Sequence, residues 1–153
     1  MALVTDILKN KLSLIFDKEY SGFVDFPSSF EDAANKWSDA FDSYASLVTP
    51  PSTTNSTAKE AFRSTFLTIT DSNYTISFPQ CFTAYCAALA IGMQPAFSAI
   101  PPQGIINFDS VYALGLSGAS SSECISLIVT IVHSWMLSGI AVNNQSGVST
   151  NWV

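Results

Sequence analysis

Stretches in which apolar residues recur every three or four positions alternate along the chain with short strips of Pro, Gly, Ser, Thr and Asn. Between Ala2 and about Phe16, the residues Val4, Ile7, Leu8, Leu12 and Ile15 fall near one helical face, which predicts a first helix starting at Thr5 or Ala2. The strip "DKEYSGFVDFP" follows, punctuated by Gly22 and Pro27. In a second stretch Phe30, Ala33, Ala34, Trp37, Phe41, Tyr44 and Val48 recur at helical spacing, while Asp32, Lys36, Asp39 and Asp42 take the other side. Ser28 and Glu31 have the spacing of a capping box at its start, and Pro50 with Pro51 stops it. A third helix is predicted behind a box of Thr57 and Glu60. It carries Ala61, Phe62, Phe66, Leu67 and Ile69 and breaks at Asp71–Asn73.

A fourth helix is predicted from near Pro79, a favourable first-turn residue, through "QCFTAYCAALAIGM" to Gly92 and Pro95. The strips "PAFSAIPPQGIINF" and "GLSGASSS" read as loops around a short helix at about Asp109–Leu114. The fifth long helix runs from about Ser121 to Ser138 behind a Ser120–Glu123 box, with Gly139 placed as its left-handed C-terminal residue. Ile140–Val142 and Val148–Val153 then read as short strands around a turn at Gln145–Gly147. The expected fold is mainly α: one domain over residues 1–153, a bundle of about five helices with a strand-like hairpin or arm over 139–153. Trp152 near the end of the sequence needs burial. It therefore predicts an arm pinned either on this protein's own helices or as a strand added to a neighbour.

Charge changes this picture more than overall composition does. Apolar residues make up 48% of the chain, a normal share, but charged residues only 12%, about half the usual fraction. All six Lys and Arg lie between Lys9 and Arg63, and from Ser72 to Val153 the only formal charges are Asp109 and Glu123. A fully solvated surface normally carries charge, so the second half is expected to be covered by other subunits, by lipid, or by Ser, Thr, Asn and Gln. A net charge of −6 without a basic cluster argues against nucleic acid as a partner. Lys9 and Lys11 point to different sides of a helix, and Lys59 with Arg63 forms an i, i+4 pair on an exposed face.

Candidate chemistry is sparse. Cys81, Cys86 and Cys124 give an odd count without C-x-x-C and read as buried small hydrophobes. With His133 as the single histidine, zinc lacks ligands, and no metal or cofactor is expected. Histidine is the side chain type suited to proton transfer near neutral pH, but His133 has no acid within local reach, so a hydrogen-bonded core or interface histidine is the expected role. No G-x-S-x-G and no G-K-[ST] occurs. Glu31/Asp32 and Asp39/Asp42 fall on the polar face of an amphipathic helix rather than forming a glycosidase pair. "MALVTDILKNKLSLIF" interrupts its apolar positions with charges, which predicts no signal peptide, and three N-x-[ST] strings then have no sugar to accept. The reading is a non-enzyme with no small-molecule substrate.

Two uncharged runs, near 80–100 and 125–142, approach the length of a bilayer span. Gly92, Gln94 and Pro95 interrupt the first, His133 and small polar residues the second, and neither is flanked by Lys or Arg. Buried helices in an assembly fit better. The alternative is a small membrane-embedded or membrane-active, holin-like protein with helices in those two runs.

Three phrases carry a resemblance: "FPSSFEDAANKWSDAFDSYASLVTPPS" (Phe26–Ser52), "CAALAIGMQPAF" (Cys86–Phe97) and "WMLSGIAVNNQSGVSTNW" (Trp135–Trp152). In this order they resemble small virion structural proteins of large tailed bacteriophages. The three cysteines are departures that the pattern does not require. The resemblance implies a non-enzymatic component of a virion, in the tail or baseplate or at the neck or head, with the tail or baseplate favoured, made in the host cytoplasm. It implies other virion proteins and copies of the same chain as partners, and no cofactor. Obligate interfaces are poor in charge and rich in aromatic and apolar groups, which agrees with the composition of the second half. Trp135, Val142, Val148 and Trp152 are the residues expected at such an interface.

Overall fold

The computed structural model describes residues 3–22 and 24–153. The first helix, α1 (Thr5–Phe16), buries Leu8, Leu12 and Ile15 as its periodicity requires. Ala2, the other proposed start, lies outside the described residues. In the following loop a single turn, α2 (Lys18–Ser21), forms because the Asp17 side chain accepts hydrogen bonds from the amides of Glu19 and Tyr20. It ends at Gly22 with φ 66°.

Helix α3 (Phe30–Ala45) is capped one residue later than the spacing predicts. Ser29 Oγ accepts the Asp32 amide at 3.0 Å, and the Asp32 carboxylate accepts both the amide (2.8 Å) and the hydroxyl (3.2 Å) of Ser28. Glu31 is thereby free to pair with Arg63 at 2.8 Å on the next helix, α4 (Asn55–Phe66). The Thr57–Glu60 box does not form either. Helix α4 begins at Asn55, which leaves Thr57 inside the helix, and the hydroxyl of its N-cap residue Thr54 is bonded to Ala88 O.

Helix α5 (Tyr74–Ile91) starts five residues before Pro79 and contains it. The carbonyl that Pro79 leaves without a donor belongs to exposed Thr75 in the first turn, where solvent reaches it. Phe78, disfavoured in a helix before proline, is held there by edge contacts with Trp37 (5.0 Å) and Phe82 (5.3 Å). Phe41 on α3 meets Phe82 (4.9 Å) and Tyr85 (4.8 Å) of α5 and Phe62 (5.6 Å) of α4. These rings join α3, α4 and α5 into one aromatic core. The strip "STT" after the prolines clamps the end of α5. Ser52 Oγ donates to Leu89 O (2.7 Å), Thr54 Oγ1 to Ala88 O (2.6 Å), and the Thr53 amide to Gly92 O (3.0 Å). Side chains from elsewhere in the chain thus satisfy carbonyls that a helix end leaves open.

After α5 comes a strand read as loop in the sequence, β1 (Phe97–Ile100), then α6 (Asp109–Leu116) and α7 (Ser121–Met136). Helix α7 has the predicted capping box, with Ser120 and Glu123 bonding reciprocally. The expected hairpin is present as β2 (Ile140–Asn143) and β3 (Ser149–Asn151). Strand β1 pairs antiparallel with β2, giving a three-stranded sheet in the order β1-β2-β3. The fold is mainly α with this small sheet, and buried side chains from Leu3 to Trp152 form one contiguous core.

Two further expectations need correction. Gly139 is not left-handed; α7 closes through Leu137 in ordinary helical geometry, and Gly139 serves a packing purpose described below. The runs 80–100 and 125–142 are not continuous helices, because α5 stops at Ile91, α7 stops at Met136, and both runs end in strand. Among the described residues no helix is long and apolar enough to cross a membrane.

Candidate functional site

The one histidine is committed to structure. His133 Nδ1 lies 2.7 Å from the Tyr44 hydroxyl, and the two rings meet edge-on at 6.1 Å, which ties α7 to α3. Burial, with Cys86 close by, raises the Tyr44 pKa well above the ordinary tyrosine value. Nearby, the Tyr85 hydroxyl donates to Asp42 Oδ1 at 2.7 Å, and burial followed by this carboxylate raises the Tyr85 pKa too. Both phenols stay protonated across the neutral range and so do not serve as bases; Tyr85 donates to Asp42, and in the Tyr44–His133 bond the imidazole tautomer sets which group donates.

Other candidates resolve similarly. Cys81 and Cys86 are buried, and burial raises the thiol pKa of Cys81 to about 12 and that of Cys86 well above its usual value. Cys86 Sγ contacts Met136 Sδ at 3.3 Å inside the core. Cys124 is half-buried at an apolar cleft of about 240 Å³ between α1, α3 and α7, whose lining contains no acid or base. Three of the four acids of α3 meet cations: Asp32 meets Lys36 at 3.4 Å, Asp39 pairs with Lys59, and Glu31 pairs with Arg63. No group of three or more potential metal ligands occurs among the described residues.

The four residues expected at an interface divide into two kinds. Trp152 is fully buried, and its amide donates to Gly139 O at 2.8 Å. Its indole Nε1–H has no partner among the described residues, so packing alone holds the ring. The arm is therefore pinned in this chain's own core. Trp135 is half-buried and donates from Nε1 to Gly104 O at 3.2 Å. Val142 is half-buried in β2, and Val148 is 57% exposed at the entry to β3.

The sheet has two unlike edges. Bonds from Asn144 N to Ala96 O and from Trp152 N to Gly139 O set the register. By alternation, the backbone groups of Phe97 and Ala99 point outward from β1, and those of Ser149, Asn151 and Val153 point outward from β3. The β1 edge is nearly closed. Pro95 and Pro101 bracket it without N–H groups, and the Phe97 amide is spent on Met93 O at 3.1 Å. On the β3 edge, Val153 exchanges two hydrogen bonds with Thr49, at 2.7 and 3.3 Å. That ladder cannot extend along the Thr49 segment, because the next residues are Pro50 and Pro51. Ser149 and Asn151 are exposed and retain outward amides and carbonyls. The sequence reading missed β1, the Ser52–Thr54 clamp and the Thr49–Val153 bridge. Only β1 left a local signal, the alternating "FSAI" between prolines.

No family model, curated protein or solved structure matches this chain. Fold and surface together define a class, a mainly α-helical protein with a small antiparallel sheet open along one edge.

Proposed function

We propose that this chain is a non-enzymatic structural subunit of a tailed-phage virion, in the tail or baseplate, made in the host cytoplasm and working through subunit–subunit interfaces. The attribution to phage rests on the three sequence phrases. The carrying structural observation is apolar exposure on the half of the chain with two formal charges. Ile76 (64% exposed) and Ile105 (78% exposed) line one cleft of about 310 Å³, and Leu116 is 91% exposed on α6. Asp109 is the one charged residue lining that cleft, and large apolar groups standing in water with so little charge among them are a feature of surfaces that another protein covers. The assignment of His133 to Tyr44 and of Tyr85 to Asp42 supports a structural rather than catalytic use of the polar core.

Mass spectrometry of purified particles tests this reading. The expected result is recovery of this chain in fixed proportion to other virion proteins. Absence from particles, with recovery only as a monodisperse monomer, overturns it. Recovery in membranes with dependence on detergent overturns it in favour of the membrane-active alternative.

A further inference from the structure

Every ion pair among the described residues lies within residues 31–63, and all six Lys and Arg of the chain lie between Lys9 and Arg63. Asp109 therefore has no cation of its own. It stands exposed in the first turn of α6, on the cleft of about 310 Å³ that Ile76, Pro79 and Ile105 line with aliphatic groups. Asp109 Oδ2 accepts the Asn107 side-chain amide at 3.2 Å, and Oδ1 has no partner among the described residues. Thr75, whose carbonyl has lost its helical donor to Pro79, lines the same cleft. The first turns of α5 and α6 both border it, and each helix start carries about half a positive charge. Asp71 just before α5 and Asp109 in α6 answer these with a full negative charge apiece, which leaves the surroundings negative.

We infer that this cleft receives a Lys or Arg side chain of a partner protein, its aliphatic stem between Ile76 and Ile105 and its cationic head on Asp109. Long basic side chains lay their stems along apolar surface and hold their heads at a charge, which is the pattern of this lining. Charge complementarity selects the cation. A purely apolar cover would desolvate the Asp109 carboxylate without a counter-charge, a cost that exceeds the gain from two isoleucines. The extent of the patch selects a protein, because a free polyamine filling the cleft leaves the exposed faces of Ile76, Ile105 and Tyr74 in water. The partner is a different chain: a second copy carries a net charge of −6, and its Lys36, Lys59 and Arg63 are already paired. The inference deepens the proposed structural role by naming the chemistry of one partner, and it rests on that reading only for its biological use.

The test is methyl NMR of Ile76 and Ile105 in the full chain, titrated separately with acetyl-arginyl-leucine amide, its neutral citrulline counterpart and spermidine. The arginine peptide is expected to shift both residues saturably, with the citrulline peptide about two- to fivefold weaker and the gap closing as salt is added. Asp109→Asn should weaken the arginine peptide by the same factor and leave the citrulline peptide unchanged. Glu19→Gln, at an exposed acid elsewhere, should change neither. Ile105→Ser should weaken both peptides while circular dichroism is unchanged. Equal binding of the two peptides to wild type overturns the inference, as does an arginine peptide that Asp109→Asn binds normally. Spermidine binding as tightly as the arginine peptide assigns the cleft to a free polyamine and overturns the protein partner. Methyl shifts that follow protein concentration without any probe assign the cleft to a second copy and overturn it too. Particle composition is read separately. A chain found in particles whose cleft ignores the cation sinks the pocket and leaves the structural role standing.

Discussion

The indole of Trp152 lies directly against the α-carbon of Gly139: a Cβ built on Gly139 would meet Trp152 Cδ2 at 2.5 Å and Cγ at 2.8 Å. Real Cβ contacts do not approach so closely, so Gly139 is needed for space and not for its backbone angles. Gly139→Ala should cost roughly 1–3 kcal/mol by overpacking, read as a lower urea midpoint. Gly115→Ala, where a Cβ meets nothing within 4 Å on exposed helix α6, should instead stabilise by about 0.5–1 kcal/mol. Equal effects at the two glycines would refute the packing role.

Trp152→Ala empties a fully buried site and should cost about 3–5 kcal/mol, a large share of the stability of a chain this size. Deleting Val148–Val153 therefore impairs folding as well as any docking, because the deletion removes a core residue together with β3. Substitutions at exposed Ser149 or Val148 separate the two effects. If Trp152→Ala melts like wild type, the latch is not part of the core.

The clamp on α5 predicts a pair of effects. Thr54→Ala removes the donor to the Ala88 carbonyl and should cost about 1–3 kcal/mol, whereas Ser52→Ala, which leaves Leu89 O with the Gly92 amide at 3.1 Å, should cost about 0.5–1.5 kcal/mol. Gly92→Ala should be at least as damaging, since a Cβ there collides with the Ser52 and Thr54 hydroxyls and lies 2.6 Å from the Thr54 amide. Thermal melts of the three variants check this; wild-type stability in Gly92→Ala would refute the close approach.

Alkaline pH should unfold the protein through its buried acids. The folded-state pKa of Cys81 is raised by burial from 9.0 to about 12. Its contribution is fully present below pH 9 and is lost as pH rises from 9 towards 12, because the unfolded thiol releases its proton first. The slope is about 1.4 kcal/mol per pH unit for each such group. Tyr44 and Tyr85, raised by the same cause, add to the loss above pH 10. Urea unfolding at stepped pH should show a plateau near neutrality and a fall above about pH 9. A stability that rises over that range would contradict the buried, protonated state.

Thiol labelling distinguishes the cysteines. In the native protein Cys124 should react with a small disulfide reagent while Cys81 and Cys86 stay protected until the chain unfolds. Labelling of all three at one rate would mean that the core opens far more readily than its packing implies.

Much of the helical framework was legible because it depends on local periodicity. Ala34, Phe41 and Tyr44 face the core as their spacing requires, while Phe30 in the first turn of α3 stays exposed, and Ser120 with Glu123 caps α7 as the motif predicts. Boundaries failed where distant groups intervened. Ser29 and Asp32 replaced Ser28 and Glu31 at the start of α3, and Glu31 went to Arg63 on another helix. Phe78 entered α5 ahead of Pro79 because Trp37 and Phe82 hold its ring.

The sequence by itself determined the helix-rich class, the hairpin after α7 and the scarcity of charge beyond Asp71, because spacing and composition are properties of neighbouring residues. Only the tertiary structure decided which strand completes the sheet, which edge stays open, and where Trp152 goes. Those outcomes join residues far apart in the chain, Thr49 to Val153 and Phe97 to Asn143, and no local pattern records a contact between surfaces that meet only after folding.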